Sequence, residues 1–249
     1  MYSSGLVSIS FRSHTPEEIL CAAAASGLTQ IEWGSDVHAP RDNLLRLEQI
    51  AAAHATTPLR CCSYGTYFRL GITPLEELPE YIQAAKKLGT NHLRLWAGRK
   101  NASEYTPDER QVFLDQCAAA AAVAEAHNVI LGLECHRRSY TETKEGALEL
   151  MRYVDSRNFK MYWQPNPDIS LEENLNYIRE LREYITHVHV FHWVGQQRLP
   201  LREGLHIWRR YLQELGGSRH LLLEFMPDDR IESLKAEADA LHELTRLFP

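Results

Sequence analysis

Short runs of apolar, often branched residues alternate along the chain with longer segments of helical period. The runs fall at 6–11 (LVSISF), 30–33 (QIEW), 59–64 (LRCCSY), 92–97 (HLRLWA), 129–134 (VILGLE), 160–164 (KMYWQ), 185–193 (ITHVHVFHW) and 220–225 (HLLLEF). Each reads as a strand, and each is followed by enough residues for a helix. Start signals mark several of these helices. Thr15 can cap, Pro16 suits the first helical position, Glu18 completes a capping box and Gly27 suits the C-terminal end. The same signal recurs as TPLE at Thr73 and TPDE at Thr106, and SLEE at Ser170 is a further capping box. The last helix is expected in DRIESLKAEADALHEL.

Strand–helix alternation implies right-handed parallel crossovers. Eight such units in 249 residues predict an α/β fold, a single (β/α)8 TIM barrel over residues 1–249, with no Pro/Gly/Ser linker to divide it. The competing open, doubly wound sheet usually carries a Gly-rich turn after its first strand, and SISFRSHTP contains no glycine.

A hydrophobic fraction of 44% suffices for one large core. The net charge of −6, with no Lys/Arg run longer than a pair, argues against a nucleic-acid partner. The first residues lack a basic start and a long apolar stretch, and no segment reaches membrane-spanning length. Five cysteines without a CxxC spacing read as reduced thiols. A cytoplasmic protein is therefore expected, with no membrane partner and with self-association left open.

In such a barrel, chemistry gathers where strands end at the C-terminal face, and alternate side chains point inward. Strand five ends LGLECH, putting Glu134 and His136 on one face. Strand eight ends LLLEF, where Glu224 follows three leucines. A carboxylate ending an apolar run is costly unless paired or coordinated. On strand seven, His187 and His189 share the inward face, with His189 nearer the C-terminal end and His192 beyond the strand. Gln164 takes the end of strand six, before Pro165 and Pro167. Glu134, Gln164, His189 and Glu224 would give three oxygens and one nitrogen to a single divalent ion. That set suits Mn²⁺, Mg²⁺ or Co²⁺ and admits Zn²⁺. Trp96, Trp193 and Tyr67 offer flat faces to a sugar ring, while Arg94, Arg69 and His38 offer charge or hydrogen bonds. Glu32 is expected to point inward and can pair with Arg94.

GLECH, YWQPNP, HVHVFHW and LLLEF, in that order on strands five to eight, resemble the xylose-isomerase-like sugar-phosphate isomerase/epimerase superfamily. IEWGSDVH, SYGTYFRLG and RLWAG extend the resemblance over nearly the whole chain. It implies a divalent metal held by Glu134, Gln164, His189 and Glu224, with the two glutamates also serving as the proton-transfer pair. It implies substrate contacts from Arg198 and a small sugar or sugar phosphate as ligand. The superfamily usually has Asp at the strand-six position and a His three residues later; Gln164 and Pro167 stand there instead. The expected activity is isomerisation or epimerisation of a ketose or related polyol through an enediolate. Two alternatives stand beside it: a non-catalytic sugar binder with a degraded metal site, and a metal-dependent phosphodiesterase of the abasic-endonuclease type. The latter uses a richer ligand cluster than this chain offers.

Overall fold

Alternation along each strand decides what lies inside the barrel and what faces the helices. The computed structural model describes residues 2–248. Strands β1 (Ser3–Val7), β2 (Gln30–Gly34), β3 (Arg60–Leu70), β4 (His92–Ala97), β5 (Ile130–Glu134), β6 (Phe159–Trp163) and β7 (Ile185–Val190) pair in parallel, each with the next. A hairpin of β8 (His192–Val194) and β9 (Gln197–Leu199) interrupts the series. Strand β10 (His220–Leu223) then pairs with both β7 and β1 and closes the barrel. Outside lie α1 (Pro16–Ala25), α2 (Leu44–His54), α3 (Leu78–Lys87), α4 (Pro107–Ala126), α5 (Lys144–Val154), α6 (Leu171–Leu181), α7 (Leu205–Leu215) and α8 (Leu234–Arg246). The expected TIM barrel is thus observed. Among the described residues no helix is long and apolar enough to cross a membrane.

Leu93, Leu95, Leu131, Leu133, Val188, Val190, Leu221 and Leu223 point outward into the main core between strands and helices. The opposite faces carry Arg94, Glu134, His189 and Glu224, all buried. Inside the barrel the apolar cluster is small: Val7, Ile9, Cys62, Tyr162 and Leu222. Below it the floor is made of imidazoles. His187 stacks on Tyr162 with centroids 4.4 Å apart and rings within 7° of parallel, and it meets His220 at 4.6 Å and His92 at 5.0 Å.

The capping boxes at Thr15, Thr106 and Ser170 form as expected, and Gly27 adopts φ +74° past the end of α1. Three expectations are corrected. Residues 8–11 do not continue the first strand but form a 3₁₀ turn, Ser8–Phe11. The serine hydroxyls bond the ends of neighbouring strands instead: Ser8 Oγ accepts from the Gly34 N–H at 2.9 Å and Ser10 Oγ from the Phe225 N–H at 3.0 Å. Thr73 does not cap a helix. Strand β3 runs on to Leu70, so Thr73 closes the turn behind it, accepting from the Arg69 N–H at 3.0 Å, and α3 starts only at Leu78. Finally, 185–193 is not one strand. It breaks after Val190, and His192–Val194 folds back on Gln197–Leu199.

Candidate active site

Strand ends β4 to β6 and β10 bring their inward polar residues to one pocket at the C-terminal face, with His189 of β7 buried beneath it. Its wall includes Arg94, Trp96, Glu134, His136, Gln164, Trp193, Tyr67 and Glu224. Beneath it lies a buried charge network. Arg94 Nε donates to Glu32 Oε1 at 2.8 Å, and Arg94 Nη1 bonds Glu134 Oε2. Trp96 Nε1 donates to the same Glu134 oxygen at 2.6 Å. Ser63 Oγ donates to Glu32 Oε2 at 2.6 Å. Gly65 on β3 makes room for this pair: a Cβ there would stand 2.7 Å from Glu32 Oε1 and 2.9 Å from Arg94 Nη2.

His189 is fully buried above this network. Its Nδ1 lies 3.2 Å from Gln164 Oε1 and 3.5 Å from Glu224 Oε2, and its Nε2 lies 3.7 Å from Glu32 Oε1. Burial alone would lower the His189 pKa, but the charges of Glu224 and Glu32 bring it up to about 9. The two strand-end glutamates are unequal. Burial would raise both, yet Arg94, with smaller help from His189 and His136, keeps Glu134 below its ordinary value. Burial, opposed by His189 and aided by the Glu134 charge, pushes Glu224 up to about 7. Glu32, also buried, is held well below the usual carboxylate range by Arg94 and His189.

Most residues expected at the site meet in this pocket. His136 lies beside Trp96, with centroids 5.6 Å apart; its Nδ1 donates to the Arg137 carbonyl at 2.7 Å, which leaves Nε2 as the accepting nitrogen. Tyr67 stands on the rim, its hydroxyl donating to Asp36 Oδ2 at 2.9 Å. Of the residues expected there, His189, Arg69, His38 and Arg198 do not line it. His38 is buried behind β2, where Nε2 donates to the His14 carbonyl at 3.2 Å and Nδ1 meets Ser8 Oγ at 3.1 Å. Arg198 is drawn outward by Asp229 and lies 4.9 Å over the Phe225 ring. Arg69 stands behind Trp96, its guanidinium 4.1 Å over the indole. His187 belongs to the floor, and His192 opens the hairpin, packed against Gly204. Arg12, not foreseen, lines the wall and bonds Asp36 at 2.7 Å and Tyr67 at 2.9 Å. It follows the true end of β1, so placing that strand end at Val7 would have pointed to it.

The chain belongs to the xylose isomerase-like TIM barrel family, which it matches over residues 20–245. It is similar to a 3-dehydroshikimate dehydratase of Bacillus anthracis, 25% identical over 193 residues, or 67% of each chain. The crystal structure of a probable 3-DHS dehydratase from that organism superposes with a TM-score of 0.82 at 22% identity, covering 97% of this chain and 99% of the other. The IolI protein, described with a bound zinc atom, gives 0.76 at 15% identity over 99% of both chains. An L-ribulose 3-epimerase gives 0.74 at 17% identity over 99% of this chain and 97% of its own.

Proposed function

We propose that the chain is a divalent-metal-dependent isomerase or epimerase that moves a proton next to the carbonyl of a ketose or related polyol. The observation that carries this reading is the meeting of Gln164 Oε1, His189 Nδ1 and Glu224 Oε2. Ligands at right angles around an ion with bonds of about 2.1 Å stand roughly 3.0 Å apart, and tetrahedral ones roughly 3.4 Å apart. The separations of 3.2 Å and 3.5 Å match these edges. Among the described residues no group of three His, Cys, Asp or Glu side chains is placed to hold an ion, so the reading rests on Gln164 standing beside His189 and Glu224. Charge agrees. Glu32, Glu134 and Glu224 against Arg94 leave two negative charges once His189 is neutral, which a divalent cation offsets. Arg94 and Trp96 both occupy Oε2 of Glu134, so Oε1 is the oxygen left to serve as a ligand.

When bound, such an ion polarises a carbonyl oxygen and stabilises developing negative charge. Glu224, buried at the end of β10 beside His189, would take the proton. The aromatic wall of Trp96, Trp193 and Tyr67 excludes water and offers faces to a sugar ring. The phosphodiesterase alternative lacks support, since the pocket holds no richer cluster of ligands.

The inequality of the glutamates favours a second reading, a dehydratase, in keeping with the relative from Bacillus anthracis. Glu134, kept ionised by Arg94, suits a ligand better than a proton donor. Loss of water needs one base and a separate acid. Glu224 would take the α-proton, and His136 on the same pocket wall would pass a proton to the departing hydroxyl. Chelator-stripped protein, reloaded with Mn²⁺, separates the readings. Deuterium incorporation from D₂O into one of a panel of ketoses is expected for the isomerase. Loss of 18 mass units from 3-dehydroshikimate, about one water, is the dehydratase result. Protein that holds metal and does neither sinks both and favours a binding role.

A further inference from the structure

We infer that Glu32 is a positioning residue that fixes the ligand nitrogen of His189 and, through Arg94, the orientation of Glu134. This rests on the metal reading and deepens it. Glu32 is fully buried on β2, three strands from the β5 glutamate and on the opposite flank from Gln164. It does not line the pocket. A buried carboxylate persists only where donors surround it. Here Ser63 Oγ at 2.6 Å and Arg94 Nε at 2.8 Å hold its two oxygens in place. One lone pair of Oε1 then remains, and the His189 Nε2 atom faces that oxygen at 3.7 Å.

His189 Nε2 is buried and makes no shorter bond. A proton on Nε2 is attracted by the Glu32 charge. Nδ1, beside Gln164 and Glu224, is thereby left with its lone pair for the ion. Carboxylate partners of ligating histidines fix tautomer and ring orientation in this way. The same carboxylate acts on the far side of the site. Because Arg94 Nε is bound to Glu32, the guanidinium is turned so that Nη1 meets Glu134 Oε2. One side chain on β2 therefore orients a residue on β7 and, at one remove, another on β5. Gly65, whose missing Cβ leaves space for the Glu32–Arg94 contact, belongs to the same arrangement.

The test measures ion binding, not turnover. Chelator-stripped wild type and Glu32→Gln are titrated with Mn²⁺ and with Zn²⁺ against a competing chelator. Loss of the charge should weaken binding by about 10- to 100-fold, the usual cost of removing an outer partner of a ligating histidine. Affinity within twofold of wild type in folded Glu32→Gln would overturn the inference. Should that variant fail to fold, wild type alone decides. With ¹⁵N-labelled histidine and Zn²⁺ bound, His189 should show a protonated Nε2 and a metal-bound Nδ1. The reverse assignment would overturn the role of Glu32 while leaving the metal site standing. Wild type that holds neither ion would instead remove the metal reading, and this inference with it.

Discussion

Glu134 and Glu224 end equivalent strands, yet their surroundings differ. Glu134 is gripped by Arg94 and Trp96, whereas Glu224 has His189 beside it and a raised proton affinity. Glu224→Gln should therefore cut proton exchange by about 10²–10⁴-fold at saturating Mn²⁺, with ligand binding changed far less. A Glu224→Gln rate equal to wild type would remove it as the base. Glu134→Gln should also destabilise the fold, because it leaves the buried Arg94 with one carboxylate fewer. Gly65→Ala is expected to cost roughly 1–3 kcal/mol in urea unfolding, by forcing Glu32 and Arg94 apart. An unchanged midpoint would mean that the pair shifts freely. Much of this was legible in the chain. An inward carboxylate closing LLLE or LGLE announces itself by its company, and alternation alone set His189 above His187. The pairing of Glu32 with Arg94 was expected and forms; what could not be read was that the same guanidinium also reaches Glu134, which depends on strands 2, 4 and 5 sharing one interior, a distance that no local pattern encodes. His38 and Arg198 were misjudged for a related reason: each found a nearer partner, Ser8 and Asp229, in a loop whose path the pattern leaves open.

Among the elements, helix starts were read well where a capping box precedes a long periodic segment. Thr106→Ala should lower stability by about 1 kcal/mol, since its hydroxyl accepts from the Glu109 N–H at 3.3 Å at the head of the 20-residue α4. A thermal midpoint equal to wild type would show that Glu109 or water replaces the cap. Thr73 shows the limit of such reading. TPLE shares the Thr-Pro-x-Glu pattern of TPEE, but β3 is still finishing its turn there, and α3 begins only after a further 3₁₀ segment. Strand lengths were also misread at 6–11 and 185–193. In both places residues suited to a strand stop pairing in the barrel: at 8–11 serine hydroxyls take over the bonds to the neighbouring strand ends, and after Val190 the chain turns into its own hairpin.

For the molecule as a whole, the floor and the mouth respond oppositely to protons. Burial drives His187 well below its ordinary pKa and His92 to about 4, and lowers His220 as well. A histidine released on unfolding titrates near 6.5. Between about 6.5 and 4 the unfolded chain therefore binds more protons than the folded one, and stability present above 6.5 is lost as pH falls. For the fully buried His187 the slope approaches about 1.4 kcal/mol per pH unit. Urea midpoints taken from pH 7 to 5 should decline, and less steeply in His187→Phe. Equal slopes in the two proteins would place the acid sensitivity elsewhere.

The stack of Tyr162, His187 and His220 also makes the barrel a chamber with one door. Nothing leaves by the floor, so a product must return through the opening that admits the next substrate, between Tyr67, Trp96 and Trp193. Product that lingers in that chamber occupies the place the next substrate needs. Product added to the assay should therefore raise the apparent KM and leave kcat unchanged, a purely competitive pattern. A fall in kcat at saturating substrate would mean that product and substrate are held at once, and the single shared chamber would be wrong.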